Sequence, residues 1–354
     1  MLGWTCRRPQ NQTSGQNLKS LPGGVLEGGA TFLLWSFHFD HQILHYIRIC
    51  AKSANHFAGL ADCARRIPVA VLNNDSMDNI VTRLSRKATE ICSWLRSTRS
   101  IIDFPAALIF SICRTRPPLG QGVIARFFRQ AIPGLCIHPR ALQGFSLPIS
   151  PDNISEIMIY EEIFIKGTYN LSILPFRPTA VVDCGGFEGY FSLLARTHFP
   201  EAHLVAFEPN PSNFRVMCSN FARNGIKVCA HSQAVSNYSG STRFSGAGFG
   251  GHLCHDKDAV GSVQVEVANL REVIVALSPH SLLLKLDVEG EEDKILPEII
   301  EVLPRTCAFF FEWHHGLATF RKAEVLLKDA GFTVTECRVH GDSNGFVDAF
   351  ALRV

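Results

Sequence analysis

Three short clusters in this chain carry residue types that do chemistry, and each closes an apolar run. The first is Asp183-Cys184-Gly185-Gly186-Phe187-Glu188-Gly189. Glycines let a backbone turn sharply and approach a ligand that a Cβ would block. A carboxylate just before such a turn can hold a cationic or hydrogen-bond-donating ligand. The second is Glu208, 25 residues after Asp183 and at the end of the next apolar run; an acid there can accept both hydroxyls of a ribose. The third is Lys285-Leu286-Asp287-Val288-Glu289-Gly290-Glu291-Glu292. Side chains alternate along a strand, so Lys285 and Asp287 share a face, and a buried Lys285 requires a partner. Glu312, His314 and His315 end a further run.

These positions divide into two sets. Asp183, Gly185, Gly186, Gly189, Glu208 and Asp287 are the candidates for holding a cofactor. Asp287, Glu289 and His314 are the candidates for acid–base work at an acceptor. Glu291, Glu292 and Asp293 read as charges at a helix N-terminus. His252 and His255 lie beside a glycine-rich tip at 246–251 and read either as acceptor contacts or as solvated loop residues. No metal site is expected: the 12 cysteines include no C-x-x-C pair, and the carboxylate spacing does not demand magnesium.

A nicotinamide fingerprint would need glycine at position 184, which is Cys184. A dinucleotide would also set its pyrophosphate against Glu188, at a helix N-terminus. S-adenosylmethionine has no phosphate and bears a positive sulfonium, so it suits an acidic strand edge. An NAD(P)-dependent oxidoreductase and a non-catalytic binding module remain the alternative readings.

The elements that must position these residues follow from hydrophobic periodicity. Strands are expected at 179–183, 203–208, 227–235, 281–288, 306–313, 332–339 and 346–354. Helices are expected at 157–165, 188–196, 211–223, 270–277, 291–303 and 318–330. Alternation of the two predicts a mostly parallel, doubly wound sheet of seven strands. The turn at 340–345 is too short for a parallel crossover, so the last two strands must form an antiparallel hairpin. Residues 237–267 read as an insertion carrying an alternating Val263, Val265, Val267 strand.

Composition excludes global disorder: 46% of the 354 residues are hydrophobic and 19% charged. The net charge of +2 hides a division, with 17 Lys/Arg against 7 Asp/Glu in 1–150 and 17 against 25 in 151–354. Residues 1–76 form a poorly patterned extension, which a translation start at Met77 would leave out. Residues 77–150 read as a basic helical appendage and linker, with Ile80, Leu84, Ala88, Ile91 and Leu95 at helical spacing. Its positive residues read as a solvated face packed beside the acidic half, with contact to an anionic membrane surface as the alternative; no nucleic-acid partner is expected. No apolar run reaches the roughly 20 residues of a membrane span, no secretory signal is apparent, and the unpaired cysteines suit a reducing compartment. The expected location is the cytoplasm.

The cluster K-x-D-V-E-G-x-E at 285–292 resembles the hallmark of the FkbM-type methyltransferases. The resemblance extends to V-V-D-C-G-G-F-E-G-Y-F-S at 181–192, A-F-E-P-N-P at 206–211, Ala234-Val235-Ser236 and F-F-E-W-H at 310–314. It covers roughly 151–354, which would be the methyltransferase domain. Gly186 and Phe187 stand where relatives commonly carry Ala-Asn. The resemblance implies a Rossmann-like class I methyltransferase fold and methyl transfer from S-adenosylmethionine. The implied acceptor is a small molecule or glycan, with transfer to the hydroxyl oxygen of a sugar, glycan or secondary metabolite.

Overall fold

The computed structural model describes residues 93–94, 96–98, 103, 136–148, 153–246, 250–254, 262–340 and 345–354. The extension 1–76, most of the basic helix expected from Met77, and His255 lie outside the described residues.

A small antiparallel pair, β1 (Cys136–Ile137) and β2 (Leu147–Pro148), precedes helix α1 (Ile154–Tyr160). Asn153 caps α1 by accepting from the Glu156 amide. The chain then continues through a π-helical stretch, Glu161–Lys166, to Gly167. The expected helix at 157–165 therefore begins earlier and changes winding halfway, a change that apolar spacing does not encode.

The main sheet contains β3 (Ala180–Cys184), β4 (His203–Phe207), β5 (Cys229–His231), β10 (Ser281–Leu286), β11 (Thr306–Trp313), β12 (Thr333–Val339) and β13 (Val347–Arg353). Their order is β12-β13-β11-β10-β3-β4-β5. Pairing is parallel from β11 through β5, and β13 runs antiparallel to both β11 and β12. The seven-stranded sheet with its terminal hairpin is the expected one. The intervening helices are α2 (Tyr190–His198), α3 (Pro211–Arg223), α4 (Leu270–Leu277), α5 (Glu292–Ile299) and α6 (Gly316–Asp329).

Alternation along the strands builds a core on each face. Val181, Leu204, Leu283 and Phe310 face a cluster shared with α1 and α2. Val182, Val205, Leu284 and Phe309 face the other, with Leu270, Ile295 and Phe320 from α4, α5 and α6. Trp94 joins the first cluster and stacks on Tyr160 with ring centroids 4.9 Å apart. Ile137, Leu142 and Leu147 pack there too, so the described residues before 150 share a core with β3, β4 and the helices on that face.

The strand expected at 227–235 is two strands in two sheets. β5 pairs with β4, whereas β6 (Gln233–Ser236) pairs in parallel with β9 (Val263–Asn269). β9 also pairs with β7 (Gly240–Ser245), which pairs with β8 (His252–Cys254), giving a separate four-stranded sheet. A β-prone run records strand propensity but not the change of partner after His231.

Candidate active site

Strands β4, β3, β10 and β11 end, and β13 begins, at one edge of the sheet. Neighbouring strands lie about 4.8 Å apart, so Glu208, Gly185, Asp287, Glu312 and Asp348 follow one another along that edge. A cavity of about 740 Å³ is lined by the first four of them.

At one end the glycine turn leaves bare backbone. Gly185 has φ +80°, and a Cβ there would fall 1.9 Å from the Asp287 carbonyl oxygen, so only glycine lets the two loops touch. Gly186 lines the cavity with it. The Phe187 amide donates to Glu208 Oε2 at 2.8 Å, and the Asn210 amide donates to Oε1 at 2.8 Å. Burial pushes the Glu208 carboxyl up to about 7 against the pull of those amides. Phe187 has φ +48°, in the left-handed region that asparagine enters more readily than phenylalanine.

Two expected cofactor residues stand behind this wall instead. Asp183 is fully buried and does not line the cavity; its Oδ2 accepts from Ser192 at 2.6 Å. Gly189, at φ +85°, also lies outside the lining, and a Cβ there would meet Phe221 Cε1 at 2.5 Å. It lets α2 begin against α3.

Lys285 fastens the two loops. Its Nζ donates to the Gly185 carbonyl at 2.8 Å and to Asp287 Oδ2 at 3.0 Å, with Asp183 Oδ1 at 3.9 Å. Burial opposes the ammonium, but Asp287 and Asp183 hold its pKa well above the usual lysine range.

The other end is crowded with acids. Glu289, at φ +52°, lines the cavity, and burial together with nearby Asp287 pushes its carboxyl up to about 7. Burial also raises Glu312 well above the ordinary carboxylate range, reinforced by Asp287, Glu162 and Asp348. His314 meets acids on both ring nitrogens: Nδ1 lies 2.9 Å from Glu292 Oε1, and Nε2 lies 3.4 Å from Glu289 and 3.7 Å from Glu312. Burial works against the imidazolium, but the Glu292 carboxylate raises its pKa to about 10. Asp287, Glu289 and His314 are thus brought together on one stretch of the cavity wall. Among the described residues, Asp287, Glu312 and His314 also place one potential cation-ligating atom each within 4.8 Å of one another.

Several residues of the site escape sequence reasoning. Glu292 is not merely a helix charge: it is fully buried, and its Oε1 also accepts from the Gly290 and Val288 amides at 3.2 and 3.3 Å. Glu291 is buried too and accepts from Ser236 at 2.5 Å. Glu162 and Tyr169 reach the cavity from the segment after α1, and His340 and Phe346 from the terminal hairpin. The four-residue repeat that brings Glu162 and Lys166 to the same wall is a legible signal; the others have none in their local sequence. His252 lines the cavity from β8, whereas His315 lies 3.3 Å from Asp293 at the start of α5 and outside the lining.

An open, mostly parallel sheet with a glycine turn and a buried acid, Glu208, on one cavity is the Rossmann-like fold of class I methyltransferases. Residues 183–334 match the Methyltransferase FkbM domain. It is 29% identical over 218 residues to Methyltransferase sdnD of Sordaria araneosa, covering 51% of this chain and 83% of that protein. It is 26% identical over 219 residues to Methyltransferase 1 of Beauveria bassiana (strain ARSEF 2860), covering 54% and 86%. Among solved structures, Methyltransferase FkbM from Methylobacillus flagellatus KT is similar at TM-score 0.34 and 12% identity, over 77% of this chain and 60% of that one. M. jannaschii TYW2 in complex with AdoMet is similar at TM-score 0.36 and 13% identity, over 62% and 86%.

The cofactor is S-adenosylmethionine, and the residues present fit it. Gly185 and Gly186 keep side chains out of the cavity wall, and the two Glu208 oxygens retain acceptor capacity beyond their amide donors. Glu188 and Glu208, both buried at this end, suit a cofactor without phosphate.

Proposed function

We propose that this protein transfers the methyl group to a hydroxyl oxygen of a small-molecule or glycan acceptor. The observation that carries the reading is the continuity of one cavity, from Gly185 and Glu208 at one end to Glu162, Glu312 and Phe346 at the other. Its volume of about 740 Å³ lies in the range of roughly 300–1,000 Å³ typical of small-molecule sites. The cavity pairs apolar walls, Ile163 and Phe244 among them, with carboxylates that can accept from hydroxyl groups.

Within this reading Glu208 holds the ribose, and the turn at Gly185 and Gly186 lets the cofactor lie against backbone. S-adenosylmethionine supplies an electrophilic methyl group, so the chain's main task is to hold an oxygen in line with it. Asp287 and Glu289 shape the junction between the two halves. His314, ringed by carboxylates, acts there as a positive charge rather than as a proton acceptor.

The test is incubation with methyl-labelled S-adenosylmethionine and a panel of sugars, alkanols, phenols and amines, followed by mapping of the labelled atom. Label on oxygen is expected; label solely on nitrogen or carbon overturns the acceptor assignment. Glu208→Gln should weaken S-adenosylhomocysteine binding by about 10- to 100-fold in calorimetry, as loss of a charged hydrogen-bond partner does. Unchanged affinity would remove Glu208 from the ribose site.

A further inference from the structure

The terminal hairpin holds a further histidine–carboxylate pair that none of the roles above uses. His340 directly follows β12 and Asp348 lies on β13, with the His340 amide donating to the Phe346 carbonyl at 2.9 Å across the turn. His340 Nε2 lies 2.8 Å from Asp348 Oδ2. Asp348 is buried, and its Oδ1 has no hydrogen-bond partner among the described residues. The His340 ring lies flat on Phe346, with centroids 4.0 Å apart and an interplanar angle of 11°. Both rings line the cavity, and the His340 side chain keeps 28% of its surface exposed.

A carboxylate can only accept, so Asp348 Oδ2 accepts a hydrogen bond from Nε2–H, which leaves the lone pair of a neutral His340 on Nδ1. Stacking on Phe346 limits rotation of the ring. The arrangement is that of a base held in one tautomer by a buried acid. His314 offers the opposite case, because both of its nitrogens face carboxylates. We propose that His340 is the general base that takes the acceptor hydroxyl proton, with Asp348 as its positioning residue. The inference rests on the reading that the acceptor atom is a hydroxyl oxygen.

Position along the edge agrees with this role. Asp348 pairs in register with Glu312 on β11 and with Arg338 on β12. That places the pair two strands out from Asp287, on the side of the cavity away from Glu208. Phe346 lies between His340 and His314, its ring centroid 5.6 Å from the latter. The charged groups near the pair are thus Arg338, Glu312 and Glu162, with His314 on the far side of Phe346. As the acceptor oxygen bonds to the methyl carbon, the carbon–sulfur bond breaks and sulfur keeps its electron pair. The hydroxyl proton moves to Nδ1, and the resulting imidazolium is compensated by Asp348.

The test compares wild type, His340→Gln and Asp348→Asn on an alkyl hydroxyl acceptor and on a nitrophenol that is already ionised at assay pH. His340→Gln should lower kcat on the alkyl hydroxyl by about 100-fold or more, the usual worth of a general base. KM and S-adenosylhomocysteine affinity should hold, and turnover of the nitrophenol should survive, since it needs no base. Asp348→Asn should lower kcat on the alkyl hydroxyl with KM unchanged. Nitrogen-15 histidine spectra of the wild type add a readout that needs no acceptor. The signal assigned to His340 should be the Nε2–H tautomer, and Asp348→Asn should disperse it into both tautomers. Full kcat in His340→Gln on the alkyl hydroxyl, or a proton resident on Nδ1 in the neutral ring, overturns the proposal. Wild-type transfer restricted to nitrogen or carbon overturns the hydroxyl reading itself and is distinguishable from both.

Discussion

Lys285→Met should destabilise the protein by about 3–5 kcal/mol, the cost of removing one partner from a buried ion pair. Lys285 is buried to within 5% of its side-chain surface and stands between Asp183, fully buried, and Asp287. Methionine fills a similar volume, so the loss isolates the charge rather than the packing. Asp183 would keep its hydrogen bond from Ser192 but lose its counter-charge. Its carboxyl is already raised by burial, and the substitution would raise it further. An acid whose folded pKa lies above its unfolded one costs stability as pH climbs from the unfolded value toward the folded one. The difference between variant and wild type should therefore be largest near pH 7 and shrink toward pH 4. Urea unfolding at several pH values reads this directly. Adding Asp183→Asn to the variant should recover a large part of the loss, and a double variant no more stable than Lys285→Met would contradict the assignment. Because Lys285 also donates to the Gly185 carbonyl, S-adenosylhomocysteine affinity should fall in parallel.

The pairing requirement for Lys285 was readable in the sequence because burial of a strand ending in K-x-D leaves a lysine no other physical option. The same holds for the sheet. Runs such as Leu282–Leu284 and Ala308–Phe311 are apolar at every position, as strands covered on both faces must be, and a short turn before β13 forces an antiparallel pairing. The residues that escaped share one cause. His340 and Asp348 meet across a hairpin, Ser236 meets Glu291 from another sheet, and Tyr169 approaches Lys285 from a segment before β3. No local period records such meetings. His314 drew attention because its place at a strand end is legible, whereas the carboxylates enclosing it come from three separate positions on the chain. The acidic run at 291–293 likewise reads as helix-start charge until the fold shows that Glu291 and Glu292 are buried.

Glu292 supplies the other large effect. Burial alone would raise its carboxyl, yet the hydrogen bond from His314, with the His315 imidazole 3.5 Å from its other oxygen, holds it at about 2, while Glu292 in turn raises His314 to about 10. These are two views of one interaction and are counted once, on the order of 3 kcal/mol at about 1.4 kcal/mol per pKa unit. For the carboxyl, the folded pKa lies below the unfolded value of 4.5, so its contribution is present above that value and is lost as pH falls toward 2. For the imidazole, the folded pKa lies above 6.5, so its contribution is complete below that value and is lost as pH rises toward 10. The contribution of this pair, read as the difference in stability between wild type and a variant lacking the carboxylate, should consequently decline on both sides of a plateau between roughly pH 4.5 and 6.5. Glu292→Gln retains an oxygen to accept the Val288 and Gly290 amides, so the 287–291 loop keeps its hydrogen bonds. The variant should lose on the order of 3 kcal/mol on the plateau. Its alkaline limb should flatten without vanishing, because Glu289 and Glu312 still face His314. Guanidine unfolding across pH 3–9 separates these outcomes. A variant that keeps the full alkaline slope would show that Glu292 does not hold the His314 proton, and that Glu289 and Glu312 do so alone.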